Sequence, residues 1–358
     1  MAVIDAAEQE REKANTGVKA VAESHRFDEA ALDRWMAANV EGYAGPLQVF
    51  QFKGGQSNPT YQLVTPTRKY VLRRKPPGKL LPSAHAVDRE YRVITALGTT
   101  GFPVARTWGL CADESVIGTM FYVMDMVEGR VLWDQTLPQC QPAERRAIFQ
   151  SKIATLAQLH NTDYAAIGLE DYGKPGNYMG RQVDRWTRQY KASETQHIPE
   201  MERLIEWLPR STPPQERTSI VHGDYRLDNM IFDPAAPRVL AVLDWELSTL
   251  GEPLADFTYL LMNWVNGPLA QVDDLPAHGI PTVEEAVAQY CQLTQRPGLP
   301  ELDWYFSYNL FRLAGIIQGI LGRVRDGTAN HPQAHLMGPR VIALAEASWR
   351  FAQKAGAA

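Results

Sequence analysis

One stretch constrains the fold of this chain more than any other. Residues 219–232 read Ser-Ile-Val-His-Gly-Asp-Tyr-Arg-Leu-Asp-Asn-Met-Ile-Phe, and Leu243-Asp244-Trp245-Glu246 follows, with Asp244 fifteen residues past Asn229. Met230-Ile231-Phe232 and Val239-Leu240-Ala241-Val242-Leu243 are short apolar runs on either side of an Asp-Pro turn, the pattern of a β-hairpin. A hairpin in this register sets Asn229, at the entrance of its first strand, near Asp244, at the exit of its second.

Two hard oxygen donors side by side suit Mg²⁺ on a triphosphate, an ion that takes few protein ligands and fills its octahedron with phosphate oxygens and water. Asp224 stands five residues before Asn229. That spacing lets a tight loop aim the Asp224 carboxylate at an incoming hydroxyl while Asn229 holds metal. In phosphoryl transfer the protein mainly positions groups and offsets charge, with a carboxylate accepting the hydroxyl proton.

The rest of the composition excludes other classes. The 358 residues suffice for one large two-lobed unit or two ordinary domains. With 45% hydrophobic and 22% charged residues, wholesale disorder is not expected. A net charge of −5 leaves no polyanion-binding footprint, so nucleic acid is not an expected partner. Cys111, Cys140 and Cys291 are odd in number and lack metal-ligand spacing, which reads as free buried thiols. The apolar stretch from Leu310 to Leu321 is broken by Arg312 and Gln318, so no membrane span is expected. The acidic start lacks a signal-peptide core, and a cytoplasmic location is the expectation.

Along the chain, residues 1–26 read as a tail. A helix is predicted over 27–40, with Asp28 as N-cap and Ala31, Leu32, Trp35 and Met36 at helical spacing. Strands are predicted at 48–52, 60–64, 69–73, 104–110 and 120–127, with a helix over 86–97 stopped by Gly98. A β-rich lobe is thus complete at 127. From 128 to 358 helical periodicity dominates, except for the β-like island at 219–245. The expected fold is α+β: a small antiparallel β-rich lobe followed by a large, mostly helical one.

His-Gly-Asp-x-x-x-x-Asn followed by Leu-Asp-Trp-Glu resembles the aminoglycoside phosphotransferase and choline kinase superfamily, relatives of the protein kinases, from about residue 27 to 350. The resemblance implies a kinase-like fold, ATP and Mg²⁺ as cofactors, and a small-molecule hydroxyl as acceptor. It makes Asp224 the catalytic base, Asn229 and Asp244 the metal ligands, and His222 a brace for the loop. It places the loop Gly54-Gly55-Gln56-Ser57-Asn58 over the phosphates, where backbone N–H groups approach closely. Tyr70-Val71-Leu72-Arg73 matches the third strand that carries a phosphate-binding Lys in protein kinases, here with Arg. Val71 would roof the adenine and Arg73 reach the phosphates; Lys75, on the same strand face, is the alternative. Glu90 would pair with the strand cation. Phe121 to Gly129 resembles the hinge, with the Asp125 carbonyl and Val127 amide reading adenine, Met124 guarding the back of the pocket, and Ile231 and Leu243 as its floor.

Asp256, in Gly251-Glu252-Pro253-Leu254-Ala255-Asp256, is expected to brace the catalytic loop. Two readings stay open elsewhere. Arg181, Arg185 and Arg188 share a helix face that either steers an anionic acceptor or is merely solvated. Trp304, Tyr305, Tyr308 and Arg312 either line an acceptor cleft or pack a core. The run from Tyr70 to His85, with Arg181–Tyr190, resembles the kinase-like domain fused to some acyl-CoA dehydrogenases. That implies a hydroxy acid or its CoA thioester as acceptor. A pseudokinase that binds nucleotide without turnover is the rival reading. A protein kinase is disfavoured by the lack of Asp-Phe-Gly and Ala-Pro-Glu in the large lobe.

Overall fold

A computed structural model describes residues 13–14, 16–54, 58–76, 86–327 and 337–358. Packing divides the chain into two compact units. One holds residues up to 155, 163–170 and 226–248; the other holds 156–162, 171–225 and 249–358. The sequence reading drew its boundaries at 26 and 127; by packing, residues 226–248, which include the hairpin, group with the N-terminal part of the chain.

The first unit is built on a six-stranded antiparallel sheet. Its strands are β1 (Val18–Lys19), β2 (Gln48–Phe52), β3 (Thr60–Val64), β4 (Lys69–Arg74), β5 (Thr107–Cys111) and β6 (Phe121–Asp125), in the order β1-β2-β3-β4-β6-β5. Alternation gives the sheet two chemically distinct faces. Tyr61, Leu63, Tyr70, Leu72, Phe121 and Val123 point to one face and form a core with Leu32 and Met36 of α1 (Glu29–Asn39). Asp28 caps that helix as expected, accepting from the Ala31 amide at 2.9 Å. The opposite face carries Val71, paired with Met124, and Arg73, paired with Tyr122. The helix α2 (Val87–Gly98) reaches this face through Glu90, which is buried.

Strand β1 corrects the reading of residues 1–26 as a tail. Val18 pairs with Phe52 and Lys19 with Gln51. A two-residue strand leaves no periodicity to detect, and the segment is held by polar contacts at His25. The His25 carbonyl accepts from Arg74 at 2.9 Å and from the Tyr61 hydroxyl at 3.2 Å.

The long helix α3 (Pro142–Asn161) runs from the first unit into the second. The second unit contains α4 (Tyr178–Ser193), α5 (Pro199–Arg210), α6 (Pro253–Asn266), α7 (Val283–Thr294), α8 (Leu302–Arg325) and α9 (Met337–Lys354). A two-stranded ribbon pairs β7 (Ser219–Val221) with β10 (Thr249–Gly251). The hairpin of β8 (Met230–Phe232) and β9 (Val239–Val242) belongs to the first unit and matches the predicted turn. Trp304, Tyr305 and Tyr308 are buried, and Trp304 stacks on Tyr308, so these three are core. No described helix is long and apolar enough to cross a membrane.

Candidate active site

In the first unit, the hairpin does what its sequence pattern implies. Met230 pairs with Val242, and one step further the Leu243 amide donates to the Asn229 carbonyl at 2.8 Å. Asn229 therefore lies opposite the residue that precedes Asp244. Asp244 itself adopts a left-handed backbone, φ 64° and ψ 65°, a conformation that Asp and Asn tolerate better than other side-chain-bearing residues.

Arg73 links this hairpin to the sheet. Its Nη2 donates to Asp244 Oδ1 at 2.8 Å, its Nε stands 2.7 Å from Glu90 Oε2, and Glu246 lies 3.6 Å from Nη2. The expected pairing of Glu90 with a strand cation is thus present, with Arg73 as the cation. Glu90 Oε1 also accepts from the Asn58 amide at 2.7 Å, and Oε2 from the Tyr122 hydroxyl at 3.2 Å. Burial pushes the Glu90 carboxyl up while Arg73 draws it down, and the balance is upward. For Arg73, burial opposes the charge, but Glu90, Tyr122, Asp244 and Glu246 together hold the guanidinium firmly protonated.

Asn58 differs from its expected place over the phosphates. It is fully buried and its side chain orients Glu90, so its role here is to position the ion pair. Gly55, Gln56 and Ser57 lie outside the described residues, and Gly54 ends the described part of that loop. Val71 and Met124 are cross-strand neighbours on the face that carries Arg73. Ile231 is at the edge of burial and Leu243 is half-buried. A Cβ on Gly129 would come within 2.5 Å of Ile231 Cγ2 and 2.4 Å of the Phe232 carbonyl oxygen, so the hinge-like segment touches the expected pocket floor directly. The Asp125 amide donates to the Arg106 carbonyl at 2.8 Å, and its carboxylate accepts from Trp108 Nε1 at 2.8 Å. Val127 is half-buried.

In the second unit, the loop after β7 is clamped by Asp256. The amides of His222 and Gly223 donate to its two carboxylate oxygens, the latter at 2.9 Å. Burial pushes the Asp256 carboxyl up, but His160, His222 and the Gly223 amide hold it below the usual range. His160 Nε2 lies 3.7 Å away, and burial pushes that imidazole's pKa down against the pull of Asp256. His222 is fully buried, and its Nδ1 accepts from the Asp224 amide at 3.2 Å, the bracing role expected of it. Asp224 Oδ1 accepts from the Tyr259 hydroxyl at 2.9 Å, which fixes the carboxylate. Arg312 Nη2 donates to the Gly223 carbonyl at 2.8 Å.

Sequence reasoning did not single out Tyr259, Tyr122 or Glu246 for this site. Tyr259 lies three residues past Asp256, on the same helix face, a spacing that identifies it only once Asp256 is placed against the loop.

The phosphotransferase enzyme family model matches residues 49–304. The chain is 44% identical over 333 residues to acyl-CoA dehydrogenase family member 10 of Mus musculus, across 91% of this chain and 31% of that protein. It therefore spans about a third of that relative's length. Among solved structures it is similar to a Ralstonia eutropha JMP134 protein described as a candidate aminoglycoside phosphotransferase, at 53% identity and a TM-score of 0.85, covering 92% of this chain and 99% of that one. A choline kinase from Cryptosporidium parvum Iowa II shares the fold alone, at 11% identity and a TM-score of 0.62, with 90% and 98% covered.

Proposed function

The chain belongs to the phosphotransferase enzyme family, with a kinase-like fold, and on that premise we propose that it moves the γ-phosphoryl group of ATP to a hydroxyl of a small molecule. The observation that carries the reading is the hairpin, which brings Asn229 beside Asp244, with Arg73 and Glu90 fixing Asp244 from the sheet.

The donor set fits Mg²⁺. Asn229 and Asp244 offer hard oxygens, and Asp244 Oδ2 takes no hydrogen bond from any described residue. When bound, the ion offsets charge on the phosphates. The chain's own residues do the rest. Arg73 holds Asp244 in place and presents a cation, Val71 and Met124 line the sheet face on which an adenine would rest, and Glu90 with Asn58 and Tyr122 keeps Arg73 oriented. Asp224, held by Tyr259 and by the Asp256 clamp behind its loop, accepts the acceptor's proton on its carboxylate. The acceptor class suggested by the shared pattern with acyl-CoA dehydrogenase family members is a hydroxy acid or hydroxyacyl-CoA.

Incubation with Mg·ATP and a metabolite extract, followed by mass spectrometry for the gain of one phosphoryl group, tests the reading. Asp224→Asn is expected to lower turnover by about 10²–10⁴-fold, the range for a lost general base, with Mg·ATP affinity kept. Bound Mg·ATP with no phosphorylated product would instead support a nucleotide sensor.

A further inference from the structure

We propose that Arg312 and Arg185 form an oxyanion-binding subsite beside Asp224, so that the hydroxyl is presented by a molecule bearing a carboxylate or a phosphate. This rests on the phosphotransferase reading and narrows its acceptor.

Arg312 lies on α8, and its Nη2 donates to the carbonyl of Gly223, the residue before Asp224. Its guanidinium carbon stands 5.1 Å from the Tyr259 ring centroid and 5.7 Å from that of Trp186. Tyr259 is the side chain that donates to Asp224, so one aromatic ring separates the cation from the base. Arg312 makes no ion pair with any described residue, and its Nε is buried without a hydrogen-bond partner. The carboxylate among its electrostatic neighbours, Asp256, has both oxygens taken by the amides of His222 and Gly223. Aromatic walls offset part of the cost of enclosing a guanidinium, but they do not replace an anion.

A second observation points the same way. Of the three arginines on α4, Arg188 is paired with Asp184, and Arg181 donates to the carbonyls of Gly176 and Lys174. Arg185 makes no ion pair with a described residue, and its guanidinium carbon lies 5.6 Å from the same Trp186 ring that Arg312 faces. Arg185 on α4 and Arg312 on α8 thus both lie within 5.7 Å of one indole, and neither makes an ion pair with a described residue. A brace for the catalytic loop needs a single N–H on Gly223, and it leaves Arg185 without a reason. A planar fork of donors matches a carboxylate or phosphate, and two forks hold it with direction.

Calorimetric titration of the whole chain with butyrate, methyl phosphate and neutral butyramide tests this, with Mg·ATP titrated in parallel. Butyrate or methyl phosphate is expected to bind where butyramide does not, and which of the two binds identifies the acceptor's anionic group. R312Q should weaken that binding about tenfold and R185Q about threefold, as expected for lost charge-assisted hydrogen bonds. Arg185 is exposed, so R185Q carries the test even where R312Q folds poorly. Anions that bind no better than butyramide, or anion binding untouched by R185Q and R312Q, would overturn the subsite. If Mg·ATP binds normally in that case, only this inference falls; if the wild type does not bind Mg·ATP, the phosphotransferase reading falls first and takes the subsite with it.

Discussion

Glu90→Ala removes the hub of the first unit's polar network, and its cost follows from the contacts. The Glu90 side chain is 2% exposed and Arg73 11%, at 2.7 Å. Removing one partner of a buried pair costs about 3–5 kcal/mol, because the other charge stays behind. Arg73 keeps Asp244 at 2.8 Å and Glu246 at 3.6 Å, whose side chains are 35% and 25% exposed, so the low end, about 3 kcal/mol, applies to the pair. The Asn58 amide and Tyr122 hydroxyl lose their acceptor as well, at about 1 kcal/mol each if water enters the vacated space. The sum is about 5 kcal/mol. Native-state hydrogen exchange at β4 and α2 reports it locally, which suits a chain with two compact units better than one global transition. The second half of the experiment is a cycle with Arg73→Met. With the cation gone, Glu90→Ala should cost about 2–3 kcal/mol less than in the wild type. A loss below about 1 kcal/mol, or strict additivity in the cycle, would show that Arg73 and Glu90 are not coupled as described.

Asp244→Asn preserves a residue that tolerates the left-handed backbone but removes the ligand charge, so calorimetry should show weakened Mg·ATP binding with little loss of fold. Asp244→Ala should add about 1–2 kcal/mol of backbone strain to that defect, seen as a lower denaturation midpoint. Gly129→Ala drives a methyl into Ile231 and the Phe232 carbonyl and should lower ATP affinity while Mg²⁺ dependence is kept; unchanged nucleotide affinity would remove Ile231 from the pocket floor. Burial raises the Glu252 carboxyl to about 7, with its bond from the Leu254 amide and Arg296 pulling the other way. Because the folded value lies above the ordinary one of about 4.3, its contribution is full below that value and is lost as pH rises through about 7. Glu252→Gln should flatten the stability–pH curve between those limits by up to about 3 kcal/mol, and an unchanged slope would refute the shift.

Much of the architecture was legible because local rules carried it. Helical spacing and flanking turn residues located α1 and α2 to within a residue or two, since a helix that packs on one side must repeat its buried face. The β8–β9 hairpin followed from two apolar runs and an Asp-Pro turn, and with it the adjacency of Asn229 and Asp244. The edge strand at Val18–Lys19 left no such trace, because two residues and polar anchors at His25 hold it.

The chain's residue order by itself determined the chemistry on offer: an acid, an amide and a second acid at fixed separations, a basic third strand and a helix acid to meet it. Those are covalent spacings and alternation patterns, and they survive any packing that keeps the elements intact. Only the tertiary structure decided which partners those groups actually meet. Asn58 turned inward to hold Glu90, Tyr259 came to rest on Asp224, and Arg185 and Arg312 arrived at one indole from helices more than a hundred residues apart. Such meetings depend on how faces bury against one another, and no period or motif within a single element encodes them.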